Sequence, residues 1–119
     1  KRRVEIVEAM REQAELRYRQ TVRTAFREVR DAMSLFETTA DNFTQLETQY
    51  TSALRVRDLM QLRYEAGQVS QQVYLDADYR RIDAALAWGI ARLEHMSAIA
   101  TLFKALGGGW EFEEQLSSR

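Results

Sequence analysis

Cysteine and proline are both missing from the chain, and only 5 of its 119 residues are glycine. The lack of cysteine excludes disulfides, thiolate metal sites and thiol nucleophiles, while leaving the redox compartment open. The lack of proline, with Gly67 the only glycine before Gly89, leaves almost nothing to interrupt a helix. No run approaches the roughly 18 apolar residues that a membrane-spanning helix needs, and no charged region followed by an apolar one resembles a signal peptide. An excess of one charge is lacking too. Lys and Arg number 17 against 18 Asp and Glu, a net charge of −1, which argues against a dedicated nucleic-acid binder that must neutralise phosphates. What remains is 45% hydrophobic and 29% charged, the profile of long helices in a single domain.

The helical reading divides at one short stretch, Arg63-Tyr64-Glu65-Ala66-Gly67-Gln68-Val69-Ser70. Gly67 suits the left-handed position that ends a helix, and Ser70 suits the N-cap of the next, so residues 67–70 are expected to form the tip of a helical hairpin. The first arm, 1–66, carries Val22, Ala25, Val29, Ala32, Phe36, Thr39, Phe43, Leu46, Tyr50 and Ala53 in alternating steps of 4 and 3. That is coiled-coil spacing, and it predicts one helix of roughly 100 Å at 1.5 Å per residue. Phe26, Met33 and Ala40 add a second column, which fits either a broad bundle stripe or a helix with neighbours on both sides. Arg17, Arg19, Arg23, Arg27 and Arg30 crowd the early part, whereas 31–54 has no Lys or Arg and is rich in Thr, Ser and Gln. Such a polar stretch reads as a solvated face or as the wall of a water-filled lumen.

In the second arm, 70–106, the same alternation gives Leu75, Tyr79, Ile82, Leu86, Gly89, Leu93, Met96, Ala100 and Phe103 as the seam. Beside it stand Ala77, Ala84, Ala91, Ala98 and Ala105, alanine at every seventh residue, expected as a second face where helix backbones approach closely. Gly107, Gly108 and Gly109 predict a glycine turn, with 107–119 as a tail whose Trp110, Phe112 and Leu116 need a surface to lie on. Folded back from Gly67, so short a second arm leaves residues 1 to about 28 overhanging. Their apolar stripe, Val4, Val7, Met10, Tyr18, Val22 and Phe26, requires cover from another copy or from more of the same polypeptide. The opening at Lys1 in mid-pattern reads as a segment of a longer chain.

No constellation for catalysis emerges. His95 has Ala91 and Ile99 at the i±4 positions where a helical metal site would want ligands. Asp76 and Asp83 share a face without Asp78, and no nucleophile or base converges on them. The triple glycine follows a helix rather than a strand, the wrong context for cradling a phosphate. The expectation is a protein that is not an enzyme, with no cofactor, no metal and no catalytic residues.

Four motifs, in order, carry a resemblance. They are Tyr18-Arg19-Gln20-Thr21-Val22 with Ala25-Phe26-Arg27-Glu28-Val29-Arg30-Asp31-Ala32; Arg63-Tyr64-Glu65-Ala66-Gly67 with Ser70; Leu75-Asp76-Ala77; and Leu102-Phe103-Lys104-Ala105-Leu106-Gly107-Gly108-Gly109-Trp110. Together they resemble the C-terminal half of outer-membrane efflux channels of the TolC/OprM type. The resemblance implies an all-α fold, a long antiparallel coiled-coil hairpin that is one fragment of a periplasmic α-barrel. It implies a homotrimer with two hairpins per subunit, a β-barrel in the outer membrane outside this stretch, and small molecules delivered by an inner-membrane pump through a periplasmic adaptor protein. It implies that Tyr64, Gly67, Gln68, Val69 and Ser70 form the adaptor-contact tip, and that the family's gate tyrosine and one gate aspartate fall on Tyr64 and Asp76. The other gate aspartate falls on Val73 and the gating basic residue of some members on Val69, so the aperture is built differently here, with Asp78 as a candidate substitute. For Tyr64 seam packing remains an equal reading, and for Asp76 a favourable charge near a helix start. The alternative, from the residues alone, is a self-associating coiled-coil scaffold or adaptor hairpin without channel activity.

Overall fold

A computed structural model describes the backbone through residue 117 and the side chains of residues 1–107. Two helices account for it, α1 (Arg2–Glu65) and α2 (Gln71–Ser117), joined by the turn at 66–70, with no strand among the described residues. The all-α hairpin read from the sequence is therefore the fold. Contacts divide it into two units, Leu35–Ala100 and Lys1–Ser34 with Thr101–Arg119.

The turn closes by the hydrogen bonds its sequence invites. Gly67 adopts φ 73°, Gly67 N donates to the Tyr64 carbonyl at 2.9 Å, and Gln68 N donates to the Arg63 carbonyl at 2.8 Å. This 6→1 and 5→2 pair is a Schellman cap with Gly67 at the left-handed position. A Cβ there meets nothing within 4 Å, so alanine at this position costs the backbone penalty of about 1 kcal/mol without a steric clash. Arg63 sits in the last turn of α1, where its charge complements the helix dipole. Ser70 then caps α2: its Oγ accepts from Val73 N at 3.4 Å and its carbonyl from Tyr74 N at 3.3 Å.

Unit Leu35–Ala100 is held along the α1 stripe that the 4-3 spacing predicts. Phe36, Thr39, Phe43, Leu46, Tyr50 and Ala53 are half-buried in sequence steps of 3 and 4. Thr39 fits this seam because its hydroxyl donates to the Leu35 carbonyl at 2.8 Å and its oxygen lies 3.0 Å from His95 Nδ1. Outside the seam Thr44, Thr48 and Thr51 each donate to the carbonyl four residues back, so this threonine-rich stretch satisfies its hydroxyls within its own helix.

On α2 the structure reverses the roles expected of the two faces. Ala77, Ala91 and Ala98 are buried, at 6, 2 and 1% exposure, while Leu75, Tyr79, Ile82, Leu86, Leu93 and Met96 are exposed. The alanine column faces α1. Its partner column is Tyr74, Arg81, Trp88 and His95, also at every seventh residue and half-buried. The reason is steric. Phe36, Phe43 and Tyr50 project from α1, and large side chains interdigitate only where the opposite helix alternates large with small.

In unit Lys1–Ser34 with Thr101–Arg119, Ala32 is buried and Val22, Val29, Leu102 and Ala105 are half-buried. Val4, Val7, Met10, Tyr18 and Phe26 stay exposed, consistent with a stripe that needs external cover. The glycine turn expected at 107–109 is not formed, because α2 continues to Ser117. Glycine permits a helix to end but does not force it. The following Glu111, Glu113, Glu114, Gln115 and Leu116 include good helix formers, and no proline stops the run. The side chains of Trp110, Phe112 and Leu116 lie outside the described residues.

Candidate functional site

The tip and the first turns of α2 hold every site residue expected from the sequence. Gly67, Gln68 and Ser70 are exposed and Val69 is half-buried, so the cap presents polar backbone and short side chains outward. Tyr64 is 39% exposed and its ring stacks on Tyr74, centroids 5.8 Å apart at 11°. This contact ties the end of α1 to the start of α2 just behind the turn. It gives Tyr64 a packing role while leaving much of the ring open. Asp76 is exposed in the second turn of α2 and has no ion pair among the described residues.

Asp78 differs from Asp76 because its side chain is engaged inside the hairpin. Its Oδ1 accepts from Arg81 Nε at 2.9 Å and lies 3.9 Å from Arg57 Nε. Arg57 Nε is also 3.2 Å from the Asp58 carboxylate, at ion-pair distance though without hydrogen-bond alignment, and Arg57 Nη1 donates to Gln61 Oε1 at 3.3 Å. The hydrogen bond to Asp78 pushes the Arg81 guanidinium above its ordinary value, so this cation is retained throughout the accessible pH range.

Arg57 and Arg81 belong to a ladder that runs the length of the unit. Phe36, Phe43, Tyr50, Arg57 and Tyr64 descend α1 at sevens; His95, Trp88, Arg81 and Tyr74 ascend α2 at sevens. The side chains interleave. His95 lies 5.0 Å from Phe36 and 6.2 Å from Phe43, and Trp88 lies 6.1 Å from Phe43 and 5.2 Å from Tyr50, the last pair nearly parallel at 7°. Below Tyr50 the next two rungs are both cationic, and Asp78 is the anion between them. Asp78→Asn is accordingly expected to lower the thermal midpoint by a few degrees, and adding Arg81→Gln to recover part of the loss, as a melting series read by circular dichroism would show.

The bulky column on α2 escaped the sequence reading, although its signal was present as a residue of size at 74, 81, 88, 95 and 102, each followed three places later by alanine. No group of His, Cys, Asp and Glu suited to a metal ion occurs among the described residues, and His95 spends Nδ1 on Thr39. No helix among them is long and apolar enough to cross a membrane.

Comparison with known proteins adds the family. Residues 1–108 match the outer membrane efflux protein family. The outer membrane protein OprJ of Pseudomonas aeruginosa is 33% identical over 106 residues, covering 89% of this chain and 22% of its own length. The probable efflux pump outer membrane protein TtgC of Pseudomonas putida is 34% identical over 97 residues, covering 79% of this chain and 19% of its own. The cation efflux system protein CusC of Escherichia coli O157:H7 is 30% identical over 112 residues, covering 91% of this chain and 24% of its own. The chain thus spans about a fifth of the length of the curated relatives it matches. No solved structure matches significantly. With the match running from the first residue through both arms and the Gly67 turn to residue 108, this hairpin belongs to the outer membrane efflux protein family.

Proposed function

We propose that the chain forms part of the periplasmic tunnel of a trimeric outer-membrane efflux channel, exporting small molecules and docking a periplasmic adaptor protein through its tip. The observation that supports this best is the outward face of α2. Leu75, Tyr79, Ile82, Leu86, Leu93 and Met96 are each more than 40% exposed, yet they keep the 4-3 spacing of a packing seam. A helix that already buries its alanine column against α1 and still carries a second apolar stripe is built for neighbours on two sides, as in a closed ring of helices. A β-barrel in the missing part of the polypeptide would anchor that ring in the outer membrane, and an inner-membrane pump would feed it. Family membership and the names of the relatives support the efflux role.

The tip and the outward face make separable contributions. Leu86→Glu with Leu93→Glu is expected to abolish trimer formation and efflux together, because paired charges cannot be buried between helices. Gln68→Arg, on the exposed cap, is expected to leave the trimer intact and reduce efflux several-fold by disturbing the adaptor contact alone. Native gel mobility of the full-length protein, with drug susceptibility of the cells, distinguishes the two. Undiminished assembly in the first variant would overturn the tunnel reading, and undiminished efflux in the second would overturn the tip as docking site.

A further inference from the structure

Near the tip each arm turns an exposed apolar face away from the other arm. On α1 it is Leu59 and Leu62, the latter 65% exposed, with Arg55 and Arg63 beside them. On α2 it is Leu75 and Tyr79, the latter 67% exposed, with Asp76 and Asp83 beside them. None of these four charged groups has an ion pair among the described residues. Further up α1 the same face is Asp41, Gln45, Thr48 and Ser52, in steps of 4 and 3 that lead on to Arg55, so its apolar part is confined to about the last three turns.

We propose that these two faces bind each other between copies of the chain, α1 of one copy lying against α2 of a parallel neighbour at the same height. The heights agree residue by residue. Tyr64 stacks on Tyr74 and Tyr50 on Trp88, 14 residues further along each arm, so each step back along α1 is level with one step forward along α2. Leu59 and Tyr79 each stand 5 residues from the tyrosine pair, and Arg55 and Asp83 each stand 9. Leu62 and Leu75 agree to within one residue, about 1.5 Å of rise, and so do Arg63 and Asp76. Within one hairpin these faces point apart; a second copy set alongside brings one onto the other. Charge selects this pairing over the alternatives. With α1 on α2, two arginines meet two aspartates, whereas α1 on α1 sets Arg55 and Arg63 against arginines and α2 on α2 sets Asp76 and Asp83 against aspartates. A contact that uses α1 on one side and α2 on the other leaves each copy a second face to offer, so it repeats until a ring closes. The proposal rests on the tunnel reading, whose ring holds the copies parallel and level.

The test is cross-linking with a short bis-maleimide in the full-length protein, freed of other cysteines, in cells that make Leu59→Cys and Tyr79→Cys chains together. A link between the two kinds of chain is expected, with none in cells that make either kind alone. Adding Arg63→Asp to every chain is expected to cut the yield of this link about fivefold, by setting like charges against Asp76. Adding Asp76→Arg to those chains is expected to restore it. Leu59→Cys chains linked to one another, a yield unmoved by Arg63→Asp, a swap that fails to restore it, or no link in a protein that still runs as a trimer would each overturn this contact and leave the tunnel reading standing. A parent protein that runs as a monomer on a native gel would overturn both.

Discussion

Replacing Ala98 with leucine is expected to destabilise the hairpin by about 3 kcal/mol. Ala98 is 1% exposed on the face of α2 that meets α1, with half-buried His95 three residues before it. Three added carbons at that position have no void to enter, so either the helices separate locally or the His95 ring leaves its place between Phe36 and Phe43. Separation costs contacts on both sides, because the His95 ring is shared by Phe36 and Phe43. The same change at Ala100, exposed on the outward side, is expected to leave the isolated hairpin nearly unaffected. A thermal melt of the two variants checks the contrast directly, and equal midpoints would show that the alanine column does not set the helix spacing.

That contrast also marks where sequence alone reaches its end. The α1 seam was legible because its apolar residues have one periodicity and one candidate face, and the Gly67 cap was legible because a single glycine followed by Ser70 allows few alternatives. On α2 two columns compete with the same period, one of Leu, Ile, Tyr and Met and one of alanine. Hydrophobicity favours the first as the seam, whereas the fold places the second there. The deciding information lies on the other helix. Phe36, Phe43 and Tyr50 already fill the space between the axes, and only small residues opposite them allow a close approach. Once that face is spent, the more hydrophobic column is left exposed. Asp78 shows the same limit: its neighbours in sequence do not reveal that Arg57, from the other arm, shares it. The end of α2 was misplaced for a local reason, since glycines at 107–109 lower helix propensity without supplying a competing turn.

Among truncations of a single side chain, the largest effect is expected at Trp88. Its ring lies nearly parallel to Tyr50 and beside Phe43, so truncation to alanine removes two aromatic contacts and leaves a gap at mid-ladder. A loss of about 3 kcal/mol follows, toward the lower end for such truncations because the residue is half-buried rather than fully enclosed. Trp88→Phe is expected to behave quite differently. The indole Nε1 is buried without a hydrogen-bond partner, which costs roughly 1–3 kcal/mol in a folded protein. Phenylalanine keeps the stacking surface, discards the orphan donor and loses part of the buried area, and these opposing changes hold the net effect below about 1 kcal/mol. Urea unfolding of the alanine and phenylalanine variants measures both quantities. A phenylalanine variant as unstable as the alanine one would mean that the wider indole surface against Tyr50 and Phe43, rather than the orphan donor, decides the stability of this rung.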